Sequence, residues 1–251
     1  KCLEDLQKIP IITKDDVIEN KNKFFARNLM YKRKICKKTS GTSGKPAKFF
    51  IDENGMALLW AGHNYIRTNI IGYVPWKDFV LHAPAAGKES NLLIHDRLLM
   101  GFFSPLSKQV LFPSNFIGDN AFKKYVYFIR KFNIKHIEGF PSIIFAFAKY
   151  LENKNIDIKV KTARLGSEML YDFRRKFIEK TLGCEVFQTY GSAESAITAA
   201  ECHKHQGMHI IPYGIAEVKD KGLEGKGELV MTDILNRVFP LIRYGTKDHV
   251  T

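Results

Sequence analysis

Short apolar runs alternate with amphipathic stretches through most of the chain, and this alternation restricts the fold more than any other feature. Strand-like runs lie at 47–51, 79–82, 108–112, 135–139 and 183–190. Apolar residues at helical spacing lie at 54–71, 119–132, 142–153 and 170–182. Because parallel strands need long crossover connections, this order predicts an α/β fold with mostly parallel sheets covered by helices. A further short helix is expected after Thr13, because Thr13 and Asp16 have the spacing of a capping box.

The last part of the chain follows a different pattern. From about Gly207, short β-type runs are separated by glycine-rich turns, and they lie at 208–212, 215–219, 227–231 and 239–244. We therefore expect residues 1–206 to form an α/β core and residues 207–251 to form a small β-rich subdomain at the C-terminal end of the same large domain.

Composition excludes several classes of protein. The chain of 251 residues is 45% apolar, but no uninterrupted apolar run approaches the about 18–20 residues that cross a membrane. The N-terminus has neither an initiator Met nor an apolar signal core, so we expect a cytoplasmic fragment whose upstream part is missing. Four widely spaced cysteines indicate reduced thiols rather than a disulfide framework.

The charge of the chain points to anionic partners. Its 39 Lys and Arg residues against 26 Asp and Glu residues give a formal charge of +13. The lysines are scattered through polar stretches, without the interleaved aromatic residues of RNA-binding modules. Nucleotides, coenzyme A and acidic carrier proteins are anions as well, but we interpret the charge mainly as solvated surface and expect no nucleic acid as partner.

A loop rich in hydroxyl groups and glycine precedes the first strand-like run. Its candidate binding residues are Thr39, Ser40, Gly41, Thr42, Ser43, Gly44 and Lys45. Backbone N–H groups in such a loop can turn toward an anion, and Lys45 adds a positive charge. A Walker P-loop is excluded, because only two residues separate Gly41 from Gly44 and Pro46 follows the lysine. An ordinary flexible turn is the alternative.

Two further polar motifs follow strand-like runs. Tyr190, Gly191, Ser192 and Glu194 stand at the end of one run, where an open α/β sheet presents its ligands. Gly191 allows the backbone to approach a ligand, and Glu194 offers an oxygen suited to magnesium. Asp248 can accept hydrogen bonds from the vicinal hydroxyls of a ribose. A solvated glutamate and a turn-capping aspartate are the alternatives.

Four motifs occur in a fixed order along the chain. They are the loop at 39–46, Gly166-Ser167-Glu168, Tyr190-Gly191-Ser192-Ala193-Glu194 and Arg243-Tyr244-Gly245-Thr246-Lys247-Asp248. In this order and at these separations, the chain resembles the acyl-adenylate-forming superfamily. Within it, the chain is most similar to phenylacetate–coenzyme A ligases and their relatives in capsular polysaccharide biosynthesis. The resemblance covers nearly the whole chain.

The resemblance implies an ATP-dependent ligase. A small carboxylic acid would attack the α-phosphate of ATP to give an acyl-adenylate, and the thiol of coenzyme A or of an acyl carrier protein would then take the acyl group. The loop at 39–45 would hold the departing phosphates, with Lys45 and Glu194 as catalytic residues and Glu194 as the ligand of Mg²⁺. The other implied contacts are Gly166, Ser167 and Glu168 along the adenine, Tyr190 packed on it, Gly191 and Ser192 near the phosphate, and Asp248 on the ribose.

Two departures from the family pattern affect these expectations. Gly245 and Lys247 stand in place of the usual Arg-Thr-Gly-Asp or Arg-Thr-Arg-Asp pattern before the ribose aspartate. The family also places a small C-terminal lid with a reactive lysine after this aspartate, and the sequence ends at Thr251. We therefore expect the fragment without its lid domain to be weakly active or inactive. The alternative is a catalytically degenerate nucleotide-binding module in capsular polysaccharide biosynthesis.

A segment rich in cysteine and histidine offers a candidate zinc site. Its possible ligands are Cys202, His203, His205 and His209. Their spacing fits no standard zinc finger, and a solvated histidine-rich loop is the alternative.

Overall fold

The computed structural model describes residues 3–28, 33–39, 45–83, 102–104, 108–112, 117–220, 222 and 225–250. The helices are α1 (Lys14–Glu19), α2 (Glu53–Tyr65), α3 (Asp119–Phe132), α4 (Pro141–Asn153) and α5 (Asp172–Leu182), with 3-10 turns at Leu3–Lys8 and Lys21–Phe24 and a π-helical turn at Ile66–Ile70. The strands are β1 (Lys34–Lys38), β2 (Lys48–Asp52), β3 (Val80–Ala83), β4 (Phe102–Ser104), β5 (Gln109–Leu111), β6 (His136–Gly139), β7 (Thr162–Gly166), β8 (Glu185–Gly191), β9 (Thr198–Glu201), β10 (Met208–Ile210), β11 (Gly214–Lys219), β12 (Gly227–Asp233) and β13 (Tyr244–Val250). In this part of the chain, none of the helices combines the length and the apolar character needed to cross a membrane.

The chain divides into two compact units. Unit 1 consists of Lys1–Asn64, Gly191–Ala199 and His209–Thr251. Unit 2 consists of Tyr65–Tyr190 and Ala200–Met208. The units therefore group the N-terminal residues with the C-terminal part of the chain, and the domain boundary expected between residues 206 and 207 stays a prediction.

Unit 2 is built on a mostly parallel sheet. The strand order is β10-β9-β8-β7-β6-β3-β5-β4. β3 pairs in parallel with β5 and β6, and parallel pairing continues through β7 to β8, whereas β4 is antiparallel to β5. β9 and β10 contain residues of both units. The α/β class predicted from the alternation of strands and helices is confirmed.

The core of unit 2 forms from the apolar faces of its helices and strands. α3 buries Phe122, Tyr125 and Ile129, which lie three or four residues apart on one helix face. Leu81 of β3 and Ile137 of β6 belong to the same cluster and are fully buried. Burial of each such side chain contributes about 1.5–3 kcal/mol to the free energy of unfolding, so these contacts hold α3, β3 and β6 together.

A cluster of charged side chains crosses the centre of the same sheet. His82, Glu138 and Arg164 are register partners on β3, β6 and β7. Glu138 binds Arg164 Nη2 (2.5 Å), His82 Nδ1 (3.0 Å) and Arg67 Nε (2.8 Å), the last from the π-helical turn. Burial alone would raise the pKa of Glu138, but Arg164, His82 and Arg67 together hold it well below its ordinary value. The ionised Glu138 therefore stabilises the folded state at pH values above the pKa that it has in the unfolded chain. This stabilisation is lost only as the pH falls through the lower pKa that it has in the folded state.

Unit 1 contains two antiparallel sheets. β1 and β2 form a hairpin, and β11, β12 and β13 form a three-stranded sheet in that order. The second sheet confirms the β-rich region predicted at the C-terminal end. The predicted capping box is also present, because Thr13 Oγ1 accepts from Asp16 N (3.2 Å) and Thr13 N donates to Asp16 Oδ2 (2.8 Å).

The strand predicted at 239–244 is wrong, because β13 begins only at the last of these residues. The segment before it is organised by side chains. Asp233 Oδ1 accepts from Asn236 N (3.0 Å), and Asn236 Oδ1 accepts from the N–H groups of Val238 and Phe239 (3.2 Å each). These local bonds take the donors that a strand would give to its neighbour.

Several strands were not predicted from the sequence, namely β1, β4, β7, β9 and all of β13 except its first residue. In β7 the charged Arg164 interrupts the apolar pattern, and its charge is balanced by Glu138, which lies far away in the sequence. In β1 three of the five residues are lysines. The helix predicted at 54–71 corresponds to α2 followed directly by the π-helical turn.

Replacing Glu138 by Gln removes the negative charge that two arginines and a histidine share. We expect Glu138→Gln to lower the free energy of unfolding by about 3–5 kcal/mol, because buried charges lose their compensation. Urea denaturation measures the change. Glu152→Gln, the same substitution at an exposed position of α4, is the control and should stay within about 0.5 kcal/mol of the wild type. Equal stability of the two variants would contradict a stabilising role for the cluster.

The carboxyl group of Asp233 should make the free energy of unfolding depend on pH in the opposite direction to Glu138. Burial raises the pKa of Asp233 from 3.8 to about 6 although backbone N–H groups donate to it. Protonated Asp233 therefore stabilises the folded state fully at pH values below the pKa that Asp233 has in the unfolded chain. This stabilisation is lost as the pH rises through the higher pKa that it has in the folded state. Between pH 4 and 7, wild type should lose up to about 3 kcal/mol relative to Asp233→Asn, which keeps the acceptor without the charge. Urea denaturation at both pH values measures this difference, and Asp157→Asn, at an exposed position, is the control. Parallel pH profiles of wild type and Asp233→Asn would disprove the prediction.

Candidate functional site

The glycine-rich loop lies in unit 1 and joins β1 to β2. Thr39 and Lys45 are described at its two ends, whereas the other predicted binding residues lie outside the described part of the chain: Ser40, Gly41, Thr42, Ser43 and Gly44. Thr39 N donates to Ala47 O (3.1 Å), and Ala47 N donates to Thr39 Oγ1 (3.0 Å). These two bonds close the neck of the loop, next to which Lys45 is exposed to solvent.

A turn at 192–195 follows β8 in unit 1. Ser195 N donates to Ser192 O (3.2 Å), and Ser195 has a left-handed backbone with φ of 60°. Such a conformation is uncommon outside glycine and persists where neighbouring contacts hold it. Ser192 Oγ is buried and has no hydrogen-bond partner among the described residues. Because buried hydroxyls are usually paired, this hydroxyl is suited to a ligand.

Gly191 lies at the junction between β8 and this turn. A Cβ at this position would meet only Thr198 Oγ1, at 3.9 Å. Packing within the described residues therefore does not require glycine here, and the backbone is open to close approach, as the sequence analysis expects of a binding residue.

Glu194 lies half-buried in the 192–195 turn and is held from β13. The hydroxyl of Tyr244 donates to Glu194 Oε1 (3.2 Å). The ring of Tyr244 is buried and packs edge-on against Phe49. Burial and then the charge of Glu194 raise the pKa of Tyr244, so its hydroxyl remains a donor at neutral pH.

The carboxylate of Glu194 fits magnesium. Within the described part of the chain, its Oε2 makes no hydrogen bond. Magnesium is commonly held by one or two carboxylates together with waters and the phosphates of a substrate. A carboxylate with one fixed and one unused oxygen suits this kind of coordination, so Glu194 is the residue that would hold the ion.

Lys37 is a residue of this region that the sequence analysis did not identify. Its ammonium group donates to Ser195 Oγ (2.5 Å). Burial lowers the pKa of Lys37, and the charge of Glu194 opposes this change. The sequence gives no signal for it, because β1 was not predicted; only the structure shows that Lys37 lies on the less exposed face of β1, between the exposed Cys36 and Lys38.

Asp248 lies at an irregularity between β12 and β13. The pairing shifts between Glu228, opposite His249, and Val230, opposite Gly245. Thr246 Oγ1 accepts from Asp248 N (3.0 Å). This bond fixes the backbone at Asp248, whose side chain is exposed at the surface of unit 1.

Gly245, one of the two departures from the family pattern, has a packing reason in this chain. A Cβ there would lie 2.8 Å from Glu228 Oε1 and 3.2 Å from Ile11 Cγ2. Glu228 Oε1 also accepts from Lys247 N (3.1 Å), and Gly245 N donates to Ile12 O (2.9 Å). Glycine thus lets the N-terminal segment and the Glu228 carboxylate approach β13 closely.

The residues predicted to line an adenine lie in unit 2. Gly166 ends β7 beside Thr189 of β8, and a Cβ at Gly166 would lie 2.6 Å from Thr189 Oγ1. Ser167 follows with a left-handed φ of 65°. Tyr190 lies half-buried, one residue beyond Thr189. Gly166, Ser167 and Tyr190 therefore stand at the carboxyl ends of neighbouring parallel strands, where α/β sheets bind ligands.

Glu168 makes a contact that its predicted role did not include. Its carboxylate accepts from Ser142 N (3.0 Å) and Ser142 Oγ (2.9 Å) at the start of α4. The carboxylate thus satisfies the Ser142 N–H group, which has no partner within the helix, and also binds the Ser142 hydroxyl. Glu168 fixes the segment after β7 to α4.

The histidines of the candidate zinc site contact carboxylates. His203 Nδ1 and His205 Nε2 lie 2.8 and 3.2 Å from Glu185 Oε1, and His205 Nδ1 lies 3.3 Å from Glu201 Oε2. Cys202, His203 and His205 belong to unit 2, whereas His209 belongs to unit 1. No group of three or more His, Cys, Asp or Glu residues in the described ranges is arranged to hold a metal. The side chains therefore do not fit a zinc site.

Comparison with known proteins extends these observations. No protein-family model matches the chain. The chain is 25% identical to the protein CapK of Staphylococcus aureus over 98% of its length and 54% of the relative. It is 26% identical to the phenylacetate–coenzyme A ligase of Pseudomonas putida over 98% of its length and 57% of the relative. The chain thus spans about half the length of the curated relatives it matches.

A solved structure shows the same fold. The crystal structure of an open conformation of 2-hydroxyisobutyryl-CoA ligase, in complex with 2-HIB-AMP and CoA, matches with a TM-score of 0.72 and 18% identity, over 99% of this chain and 60% of that chain. The chain therefore shares the fold of this ligase. The sequence matches to CapK and to the phenylacetate–coenzyme A ligase confirm the resemblance to this branch of the acyl-adenylate-forming superfamily that the motifs indicated.

The packing at Gly245 can be tested by adding one methyl group. We expect Gly245→Ala to lower the free energy of unfolding by about 1–3 kcal/mol, because its Cβ would crowd Glu228 and Ile11. In a Glu228→Ala background the same change should cost less. Gly222→Ala is the control, since its Cβ would come no closer than 3.8 Å to Lys226 O. Thermal denaturation measures all four variants, and an equal cost of Gly245→Ala in both backgrounds would argue against this contact.

Proposed function

We propose that the complete protein is an AMP-forming acid–thiol ligase, which uses ATP to activate a small carboxylic acid. The observation that carries this proposal is the placement of Glu194, whose carboxylate is fixed by Tyr244 while its Oε2 is unused among the described residues. Further support comes from the phenylacetate–coenzyme A ligase of P. putida and from the ligase structure that contains 2-HIB-AMP and CoA.

The first proposed step forms an acyl-adenylate. A carboxylate oxygen of the acid forms a bond to the α-phosphorus of ATP, the bond from this phosphorus to the β-bridging oxygen breaks, and pyrophosphate leaves. Negative charge grows on the phosphates, and oriented donors with nearby cations stabilise it. We assign this role to the 39–45 loop with Lys45 and to Ser192 Oγ. A magnesium ion held by Glu194 would supply further neutralisation of the phosphate charge.

The remaining residues hold the nucleoside in this proposal. Asp248, with its backbone fixed by Thr246, accepts hydrogen bonds from the ribose hydroxyls. Gly166 and Ser167 line the adenine, and the ring of Tyr190 packs on it. Glu168 serves the same site by fixing the segment after β7 to α4.

The second proposed step transfers the acyl group to a thiol. The thiolate of coenzyme A, or of an acyl carrier protein, forms a bond to the acyl carbon, and the bond from this carbon to AMP breaks. Coenzyme A is the acceptor that the comparisons favour, because the 2-hydroxyisobutyryl-CoA ligase structure contains it. We place the complete protein in the cytoplasm, in keeping with the separate, free cysteines described in the chain.

A non-catalytic nucleotide-binding role is the alternative. One argument for this alternative is Gly245, which departs from the family pattern. Packing explains this glycine independently of catalysis. The two roles differ in one measurement, which is ATP-dependent release of pyrophosphate by the complete protein with magnesium and a panel of aryl and acyl acids. Release with at least one acid supports the ligase. Nucleotide binding without release supports the alternative, and absence of both rejects the proposed site.

Replacement of Glu194 tests the residue that carries the proposal. We expect Glu194→Gln to lower the rate of pyrophosphate release by about 10²–10³-fold, because phosphate charge loses its metal-assisted stabilisation. The complete protein is assayed at saturating ATP and a fixed magnesium concentration. Glu19→Gln, the same substitution at an exposed position of α1, should retain the wild-type rate. A wild-type rate in Glu194→Gln would remove this residue from the mechanism.

A further inference from the structure

β1 contains a lysine where the pattern of the strand favours an apolar residue. Exposed and half-buried positions alternate along β1, and Lys37 occupies a half-buried one. Its cross-strand partner is Phe49, which is 2% exposed. An ammonium group on this face loses hydration, a cost that apolar residues avoid. Positions that break a local pattern in this way are often functional.

The ammonium of Lys37 reaches the 192–195 turn. It donates to the hydroxyl of Ser195, a residue that is 6% exposed. The same hydroxyl lies 3.3 Å from the carbonyl oxygen of Ala193, and Ser195 N donates to Ser192 O. Lys37 thus supports a residue whose left-handed backbone needs support.

Glu194 precedes Ser195 directly and is held on its other side by Tyr244. Two strands of unit 1 therefore fix this turn, β1 through Lys37 and β13 through Tyr244. Because Lys37 lies two residues before Thr39, the strand that supports the turn also forms the neck of the glycine-rich loop. The charge of Glu194 opposes the effect of burial on the pKa of Lys37, so the ammonium and the carboxylate attract each other.

We propose that Lys37 is a positioning residue for magnesium: through Ser195 it holds the 192–195 turn so that Glu194 presents its carboxylate to the ion. This inference rests on the proposed function, in which Glu194 holds magnesium. Lys37 touches neither nucleotide nor acid in this role. Groups that orient a metal ligand in this way typically change metal affinity or activity by about 10–100-fold when removed.

The first test measures the magnesium concentration that gives half-maximal pyrophosphate release by the complete protein. We expect Lys37→Met and Ser195→Ala each to raise it by about tenfold or more. The double variant should show no larger effect than Lys37→Met alone, because both changes break one contact. Lys37→Arg, which keeps charge and donors, should show a smaller rise. Lys48→Met, at an exposed position of β2, is the matched control and should match wild type.

The second test uses the protein without ligands. Amide hydrogen exchange at 192–196 should be faster in Lys37→Met and in Ser195→Ala than in wild type or Lys48→Met. Unchanged exchange in both variants overturns the proposal, and so does an unchanged magnesium requirement or an additive double variant. If the wild type releases no pyrophosphate, the proposed function fails, and the positioning of Glu194 by Lys37 is then decided by exchange alone.

Discussion

One buried carboxylate, Glu138, fixes the register of the parallel strands on which unit 2 depends. His82 and Arg164 are its cross-strand partners, and Arg67 joins from the π-helical turn. Since side chains alternate between the faces of a strand, a slip of one residue would separate these charges and leave them buried without compensation. Apolar side chains tolerate alternative pairings more readily than charges do. The cluster therefore aligns the strand ends, including Gly166, that carry the predicted adenine residues.

The fold could be predicted wherever hydrophobic periodicity was strong. α3, α4 and α5 have regular apolar faces, and the sequence located them within a few residues. β7 escaped prediction because Arg164 hides its strand character, and only the tertiary contact with Glu138 explains an arginine there. The strand predicted at 239–244 is wrong for the opposite reason, because its sequence has the character of a strand and its structure does not. Most of its residues are apolar, but Asn236 Oδ1 takes the backbone N–H groups of Val238 and Phe239, where the segment begins, into a turn.

The candidate site was predictable as a set of motifs and not as a set of contacts. The loop at 39–45, Glu194 and Asp248 follow from the family resemblance, and their functional roles stay predictions. Lys37 could not be found in this way, because its partner Ser195 lies 158 positions further along the chain. The bond between Glu168 and Ser142 was hidden for the same reason, since 26 positions separate the two residues. Long-range polar contacts of this kind leave no periodic pattern in the sequence.

The discontinuity of unit 1 has a consequence for the biosynthesis of the protein. Ile9 O accepts from Arg243 Nη1 across 234 positions of sequence, and Ile12 O accepts from Gly245 N. The ribosome therefore synthesises residues 9–12 long before their hydrogen-bond partners Arg243 and Gly245. In contrast, residues 65–190 of unit 2 emerge as one continuous stretch. Contacts between distant residues form late and carry a larger entropic cost of loop closure. Residues 9–12 therefore acquire these hydrogen-bond partners only after most of the chain has been synthesised.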